Sequence, residues 1–538
     1  MANGSLSKIK HVVVLMLENR SFDNLLGWLY DPANPKPPFN QRPPADFDGV
    51  SGKNLSNPNL DGSLAPVSRG SVPTDPNPDP GEPYQDIYCQ VYGVKGSAPA
   101  LGAVPSEPTL PANMQGFIYN YAAQSAVAQQ GVDPKLIMNC FTPATVPVLS
   151  SLAYYYGVCD HWFASLPTQT ICNRSYLHAG TSSGYVNNQG GDGLLFLNNT
   201  TTIFNLLEEA KQSWKIYCCS WLITSLALLT QEKLWEYFFM GDHFGHLNDF
   251  INAAKQPGGL PAYSFIEPTY IDSLVWGPEN DMHPEANPIE FYGLSNVEQG
   301  ERLLYKVYQA VRNSPDWDST LLLVLFDEHG GCYDHVVPPS KQNSFGCNLA
   351  VSPDGVSIPP SQSGGSGFNF DRLGVRVPAI VVSAYTRQQT VLNNCFDHTS
   401  ALSTIVDCFG LPAGRLGKRQ QIAPNVGAAL NLATARNDHP PIPQPAQESW
   451  LAATGQVLHA AKAMLQAKTK PLTELNRVML YGAVRLMQAD KFMAGPAAKA
   501  QAEALKAEVT GIHSALAADA FLMKHEAEMH TRRMLRKL

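Results

Sequence analysis

Short, almost uninterrupted apolar runs alternate with amphipathic stretches along this chain. HVVVLML (11–17) and TLLLVLF (320–326) are apolar throughout apart from their first residues, as strands buried on both faces are. WKIYCC (214–219) and PAYSFI (261–266) read the same way. VRVPAIVVSAY (375–385) adds a further strand, with Pro378 near its start or at a sheet edge, because proline cannot donate to a ladder. TTIFNLLEEAKQ (201–212) has helical periodicity. So has SNVEQGERLLYKVYQAVRN (295–313), where Leu303, Leu304, Val307, Tyr308 and Val311 share one face and Ser295 with Glu298 forms a capping box. Strands and helices in alternation predict an α/β fold, a mostly parallel central sheet with helices on both faces.

Two stretches interrupt the pattern. Residues 31–112 are rich in Pro, Asn, Gly and Asp and predict long irregular loop on the surface or over a site, and 341–374 is similar. After HPPIPQP (439–445) the composition changes to Ala, Leu, Lys, Met and Glu. This divides the chain into a main domain over 1–445 and a helical C-terminal region over 446–538, broken near Pro471 and Gly495-Pro496. From 457 onward there are 13 Lys and Arg against 7 Asp and Glu, with 25 and 39 in the remainder. A basic helical tail on an acidic body reads as a solvated appendage or as a transient contact with a membrane surface.

The net charge of −8 gives no reason to expect nucleic acid as a partner. No apolar run reaches the eighteen residues of a membrane-crossing helix, and HVVVLML is too short to be the core of a cleavable signal. The expected location is therefore cytoplasmic, or outside the cell by a signal-independent route. Ten cysteines lie scattered in apolar surroundings without a CxxC spacing, which argues against structural zinc. It fits buried thiols and leaves a disulfide or two open.

The chemistry gathers at strand ends. HVVVLML runs into Glu18-Asn19 and TLLLVLF into Asp327-Glu328-His329-Gly330-Gly331. Ligands of open α/β sheets bind at the carboxyl ends of strands. Three carboxylates converging there with no Lys or Arg in view call for a divalent cation, which takes hard oxygen ligands. PTQTICNRSYLHAG (167–180) places two threonine hydroxyls just ahead of a helix beginning near Ile171 and stopping at Gly180. A helix start aims free N–H groups at an anion. His283 in NDMHP, His398 in FDHTS, and His243 and His246 in GDHFGH supply candidate acids, phosphate contacts or ligands.

KHVVVLMLENRSFDNLLGWL, the threonine segment, NDMHP, FDEHGGCYDHVVPP and FDHTS occur in that order. Together they resemble the bacterial phosphoesterase family of phospholipase C and acid phosphatase enzymes, within the alkaline phosphatase superfamily. The resemblance spans about 8–410 and excludes the helical tail. It implies an alkaline phosphatase-like fold and a metal held by Glu18, Asn19, Asp327 and Glu328, with a second metal possible. It implies Thr170, three residues before Asn173, as nucleophile and metal contact; Asn173 and Arg174, in the first turn of the helix, are candidate phosphate donors, and Arg174 reads equally as a structural salt-bridge residue. His283 matches a phosphate-contacting histidine, and His243 is a looser match to one facing the leaving group. His398 resembles a superfamily metal ligand and is a candidate substrate contact. Cys172 stands where the family has proline, and Glu82 where relatives often have histidine.

The activity so implied is a phospholipase C-type phosphodiesterase working through a phosphothreonine, with a phospholipid or other phosphoester as substrate. Acid phosphatase is the alternative within the same site. A choline-like head group would sit over aromatic faces, with Trp162, Trp221, Trp235 and Tyr237 as candidates. Two rivals come from other classes. GTSSG (180–184) satisfies the G-x-S-x-G of serine lipases with Ser182 as nucleophile, which requires a strand before it and a helix after it. A non-catalytic relative binding a partner through the tail is the other.

Overall fold

The computed structural model describes residues 6–106, 108–188, 196–271, 273, 275–284, 296–341, 347, 349, 367–446, 474–492, 504–505 and 507–537. The eight strands of the main sheet are β1 (His11–Leu17), β2 (Gly157–Cys159), β3 (Trp214–Cys218), β4 (Phe244–His246), β5 (Tyr263–Glu267), β6 (Thr320–Phe326), β7 (Ala379–Ser383) and β8 (Thr390–Leu392). Their spatial order is β8-β2-β7-β6-β1-β5-β3-β4, and all neighbours run parallel except that β7 is antiparallel to β6 and β2. Every residue of β6 and all but the first of β1 are buried, so these central strands are covered on both faces, as their uninterrupted apolar runs require. Pro378 falls just before β7, at its start as expected. The strand is interior rather than at an edge, since the proline lies outside the ladder.

Two groups of helices cover the sheet. Thr170–Ala179 packs with His398–Phe409 and with Ile203–Glu209, while Pro147–Tyr155 packs with Val297–Arg312. The last of these is capped by Asn296, whose side chain accepts the Gln299 N–H. Ser295, the expected cap, lies outside the described residues. The long stretch 31–112 is mostly irregular but contains the helix Tyr84–Tyr92 and a small hairpin, Ser56–Pro58 with Leu64–Pro66. Much of 341–374, and the expected breaks near Pro471 and Gly495-Pro496, fall outside the described residues. In the C-terminal region the helix Glu474–Phe492 buries Met479, Leu480, Ala483, Val484, Leu486 and Met487, and it lies against 222–230 of the body. Among the described residues Cys347 and Cys395 form a disulfide and eight cysteines are free thiols. No helix of the described chain is long and apolar enough to cross a membrane.

A buried carboxylate joins two of these helices. Glu301 accepts the N–H groups of Val148 at 2.5 Å and Leu149 at 2.9 Å, in the first turn of Pro147–Tyr155, where no side chain of that helix's own cap does so. Burial pushes the Glu301 carboxyl up to about 8, against the two donors that favour its charged form. A carboxyl raised in the folded state stabilises fully below its unfolded value, and that contribution is lost as pH rises through the folded one. Glu301→Gln is therefore expected to be the less stable protein at pH 5, since an amide leaves one N–H without an acceptor. Between about pH 5 and pH 8, however, its stability should fall less than that of the unaltered chain, by on the order of 1–3 kcal/mol. Urea denaturation of both proteins across that range measures the difference.

Candidate active site

The register of the sheet builds the site. β1 and β6 pair residue for residue, from His11 opposite Thr320 to Leu17 opposite Phe326, so the next residues, Glu18 and Asp327, emerge side by side at the carboxyl edge. Asn19 adopts the left-handed conformation, φ 56°, which asparagine tolerates better than most residues. Its backbone N–H donates to Asp327 Oδ1 at 3.1 Å, as does that of Glu328 at 2.7 Å.

The loops after β1 and β6 are closed onto each other. The Arg20 N–H donates to the Glu328 carbonyl at 3.0 Å, Ser21 Oγ to the Tyr333 carbonyl at 2.5 Å, and the Asp23 N–H to Asp334 Oδ2 at 3.1 Å. Gly330, φ 59°, passes so close that a Cβ there would lie 2.2 Å from the Asn19 carbonyl oxygen. Only glycine fits.

Thr170 is the first residue of its helix, and its hydroxyl donates to Asn19 Oδ1 at 3.4 Å. The hydroxyl of Thr168 is instead engaged by the Val186 carbonyl at 2.5 Å. Of the two threonines, Thr170 alone is directed at the acids. The Ile171 N–H, at the same helix start, is accepted by Asn188 Oδ1 at 2.9 Å. On the far side of Asn19, its Nδ2 meets Glu82 Oε2 and lies 2.9 Å from His283 Nε2. Glu82 comes from the irregular insertion and is 3.6 Å from His283 Nε2, with Asp79 4.0 Å from Nδ1. Gln90, from the helix that follows, anchors this segment. Its Nε2 donates to the Gly81 carbonyl at 2.6 Å and its Oε1 accepts from His329 Nε2 at 2.8 Å.

The charges are unbalanced. Burial raises the carboxyls of Glu18, Glu328 and Glu82 above their ordinary range, with Arg174 partly offsetting the rise at Glu18 and Glu82 adding to it at Glu328. At His283 burial opposes the charged form, but Asp79, Glu82, Glu18 and Asp281 outweigh it and hold the ring well above an ordinary histidine. Glu18 Oε2 and Glu328 Oε1 are buried without a hydrogen-bond partner among the described residues, while Glu18 Oε1 faces the Arg174 guanidinium at 3.2 Å. Buried carboxylate oxygens left so are costly. An oxygen-rich donor set with buried anionic atoms fits a divalent cation; Glu18, Asn19, Asp327, Glu328 and the Thr170 hydroxyl are the candidate ligands, and Asp79, Glu82 and His283, on the far side of Asn19, are a group whose ligand atoms lie within 4.8 Å of one another.

Several expectations need correcting. The carboxylates do have an arginine: Arg174 Nε donates to Asp327 Oδ2 at 3.0 Å and its Nη2 is 3.2 Å from Glu18 Oε1, beneath the ring of Tyr270. It is an ion-pair residue, four positions along the helix from Thr170, whose partners are 153 and more residues away in sequence. Asn173 is not free to meet a phosphate, because its Oδ1 accepts the Leu166 N–H and its Nδ2 donates to the Leu166, Thr168 and Gln169 carbonyls. It shapes the turn that presents Thr170. Both ring nitrogens of His398 are used: Trp162 donates to Nδ1 at 3.3 Å, and Nε2 donates to the Asp327 carbonyl at 2.6 Å. His398 thus fixes the backbone of Asp327 and is not a ligand in this arrangement, and Trp162 is fully buried behind it.

His243 lies elsewhere. It precedes β4, stacks on Trp214 at 4.0 Å between ring centroids, and donates from Nδ1 to the Trp214 carbonyl. Trp214 opens β3, so His243 is at the amino edge of the sheet, opposite the acids. Ser182 follows the end of a helix rather than a strand, and its hydroxyl donates to the Tyr185 carbonyl at 2.7 Å. It lacks the strand-turn-helix setting of a lipase nucleophile.

Another group with the spacing of a metal site, the buried Asp23 and Asp334 with the part-buried His335, already holds a cation. Arg376, fully buried, donates from Nε to Asp334 Oδ1 and from Nη2 to Asp23 Oδ1, both at 3.0 Å, and from Nη1 to the carbonyls of Asp48 and Asp160.

Comparison with known proteins points the same way. The model of the phosphoesterase family matches residues 9–412. Non-specific phospholipase C3 of Arabidopsis thaliana is 35% identical over 448 residues, covering 81% of this chain and 76% of that protein. Phospholipase C B of Mycobacterium tuberculosis, strain H37Rv, is 28% identical over 471 residues, covering 81% of each. A solved structure from Vibrio parahaemolyticus, described as a protein in the alkaline phosphatase superfamily, overlaps with a TM-score of 0.30 at 15% identity. It covers 52% of this chain and 64% of that one, too slight an overlap to bear on the fold. The chain belongs to the phosphoesterase family and is a hydrolase of phosphoric esters.

Proposed function

We propose that this protein is a metal-dependent phosphodiesterase of the phospholipase C type that works through a covalent phosphothreonine on Thr170. The observation that carries the reading is the Thr170 hydroxyl at a helix start, bonded to Asn19 among Glu18, Asp327 and Glu328. The phospholipase C names of the relatives support a diester substrate. A divalent cation held by those residues would lower the pKa of an oxygen it contacts by many units, which a threonine hydroxyl needs near neutral pH. Thr170 gives up its hydroxyl proton to solvent and forms the Oγ–P bond as the ester P–O bond breaks. His283, whose charged form the surrounding carboxylates favour, is the proton donor to the departing alcohol. Water then displaces Thr170 from phosphorus in the reverse sense, giving a proton to the neutral His283 as the Thr170 oxygen takes one up from solvent, which restores both groups. Asn173 and His398 are positioning residues, for Thr170 and Asp327 respectively.

The test compares p-nitrophenol release from p-nitrophenyl phosphorylcholine and p-nitrophenyl phosphate, with and without a chelator. Preference for the diester, lost with the chelator, is expected. Preference for the monoester would make the protein an acid phosphatase with the same site, and activity untouched by chelation would remove the metal. Asp327→Asn is expected to come off a desalting column with bound metal reduced about tenfold or more. Metal content equal to that of the unaltered protein would exclude Asp327 from the ligand set.

A further inference from the structure

We propose that the C-terminal helix and the edge of the main sheet together form the binding site for the acyl part of a lipid substrate. This rests on the phosphodiesterase reading. A cavity of about 440 Å³ opens between the body and the helix Ala515–Lys537, and that volume lies in the range of small-molecule sites. Trp221, Leu222 and Phe238 form the wall on the body, and Met523, Ala527 and Met529 the wall on the helix, with His246, Glu526, His530 and Thr531 as the polar groups of its lining. Met523 at its side is half exposed, a large apolar side chain that a neighbouring ligand would cover. Methionine adapts to flexible apolar partners better than branched residues do.

Its place relative to the site decides its occupant. Trp221 follows β3 and His246 ends β4, so the cavity lies at the carboxyl edge of the sheet, the edge that carries Glu18 and Asp327. β3 and β4 stand two and three strands from β1, a separation of about 10–14 Å at ordinary strand spacing. That is past the glycerol of a lipid whose phosphorus lies at the acids, and falls along its esterified chains.

One loop joins the two places. Leaving β5, it puts Tyr270 against Arg174, then Trp276 between Trp221 (5.6 Å between centroids) and His246 (4.5 Å, stacked), and then returns His283 to Asn19. The helix is held by specific bonds rather than by apolar contact alone: Trp221 Nε1 donates to Asp519 at 3.0 Å and the Ile223 N–H to Glu526 at 3.2 Å. The family match ends at residue 412, so the helical wall of this cavity lies outside it.

The experiment uses the full chain and phosphatidylcholines of increasing acyl length, all below their micelle concentrations, beside p-nitrophenyl phosphorylcholine, which has the same head group and no acyl chain. For the unaltered protein kcat/KM is expected to climb with acyl length, by up to about fourfold per buried methylene, until the cavity is filled. Ala527→Phe, which fills it, should lower kcat/KM for the dioctanoyl lipid about tenfold or more while leaving the p-nitrophenyl ester unchanged. Met529→Ala, which enlarges it, should move the optimum to longer chains. A flat dependence on acyl length, or an equal loss on both substrates in Ala527→Phe with no shift of the optimum in Met529→Ala, would overturn the proposal. If neither substrate is hydrolysed by the unaltered protein, the phosphodiesterase reading fails by itself. Quenching of tryptophan fluorescence by brominated dioctanoyl phosphatidylcholine then decides the cavity: quenching that Ala527→Phe removes supports it, and quenching that persists refutes it.

Discussion

Thr170→Ala should abolish turnover, lowering kcat by about 10⁴- to 10⁶-fold, the range seen when a covalent nucleophile is deleted. Thr170→Ser should keep activity within about tenfold, since the hydroxyl remains and only a methyl group is lost. The contrast isolates the hydroxyl, because alanine and serine disturb the packing of this buried helix start about equally. Acid quenching during turnover, followed by peptide mass spectrometry, should place a phosphate on the peptide containing Thr170, and on the corresponding serine peptide in the variant. An alanine variant that still turned over at a tenth of the normal rate would show that water attacks phosphorus directly. Phosphate found on Thr168 or Ser182 instead would reassign the nucleophile.

Arg376→Leu should be the most damaging single change away from the reacting groups. The guanidinium is fully buried, lies over Phe22 and neutralises Asp23 and Asp334, both of which are buried as well. Removing one partner from a buried ion pair leaves uncompensated charge and costs about 3–5 kcal/mol. His335, whose Nδ1 lies 2.5 Å from Asp23, is a neighbouring cation placed to soften the loss. Adding Asp334→Asn should recover part of the stability, because it removes an acid that no longer has its arginine. Thermal midpoints of the single and double variants provide the check. A single variant within about 1 kcal/mol of the unaltered protein would mean that the two acids are not charged there.

The framework of the site was legible in the chain because its strands are buried on both faces. Unbroken apolar runs locate β1 and β6 without help from their partners, and an acid directly after such a run can only stand at the sheet's carboxyl edge. What could not be read was pairing at long range. Arg174 is plain in the sequence, but the carboxylates it neutralises belong to strands far from it, so the acids looked unpaired. Asn173 carries a side chain fit for a phosphate, and nothing in NR tells that four contacts to the preceding turn have already consumed it. His243 was misplaced for a different reason. β4 has only three residues, too few for a pattern to show which of the two histidines in GDHFGH precedes the strand and which ends it. Gln90 gave no signal at all, because an amide inside an amphipathic helix looks like any solvated residue until His329 is brought against it.

The closure of the loop after β1 onto the loop after β6 bears on how this protein can be inherited and recombined. ENRSFD and DEHGGCYDH lie about three hundred residues apart, yet Gly330 lies tight against the Asn19 backbone and the Asp23 N–H finds its acceptor in Asp334. They are two halves of one interlocking part. A chimaera that takes one half from a distant relative inherits a lock without its key, and exchange within this family should succeed only when both halves travel together.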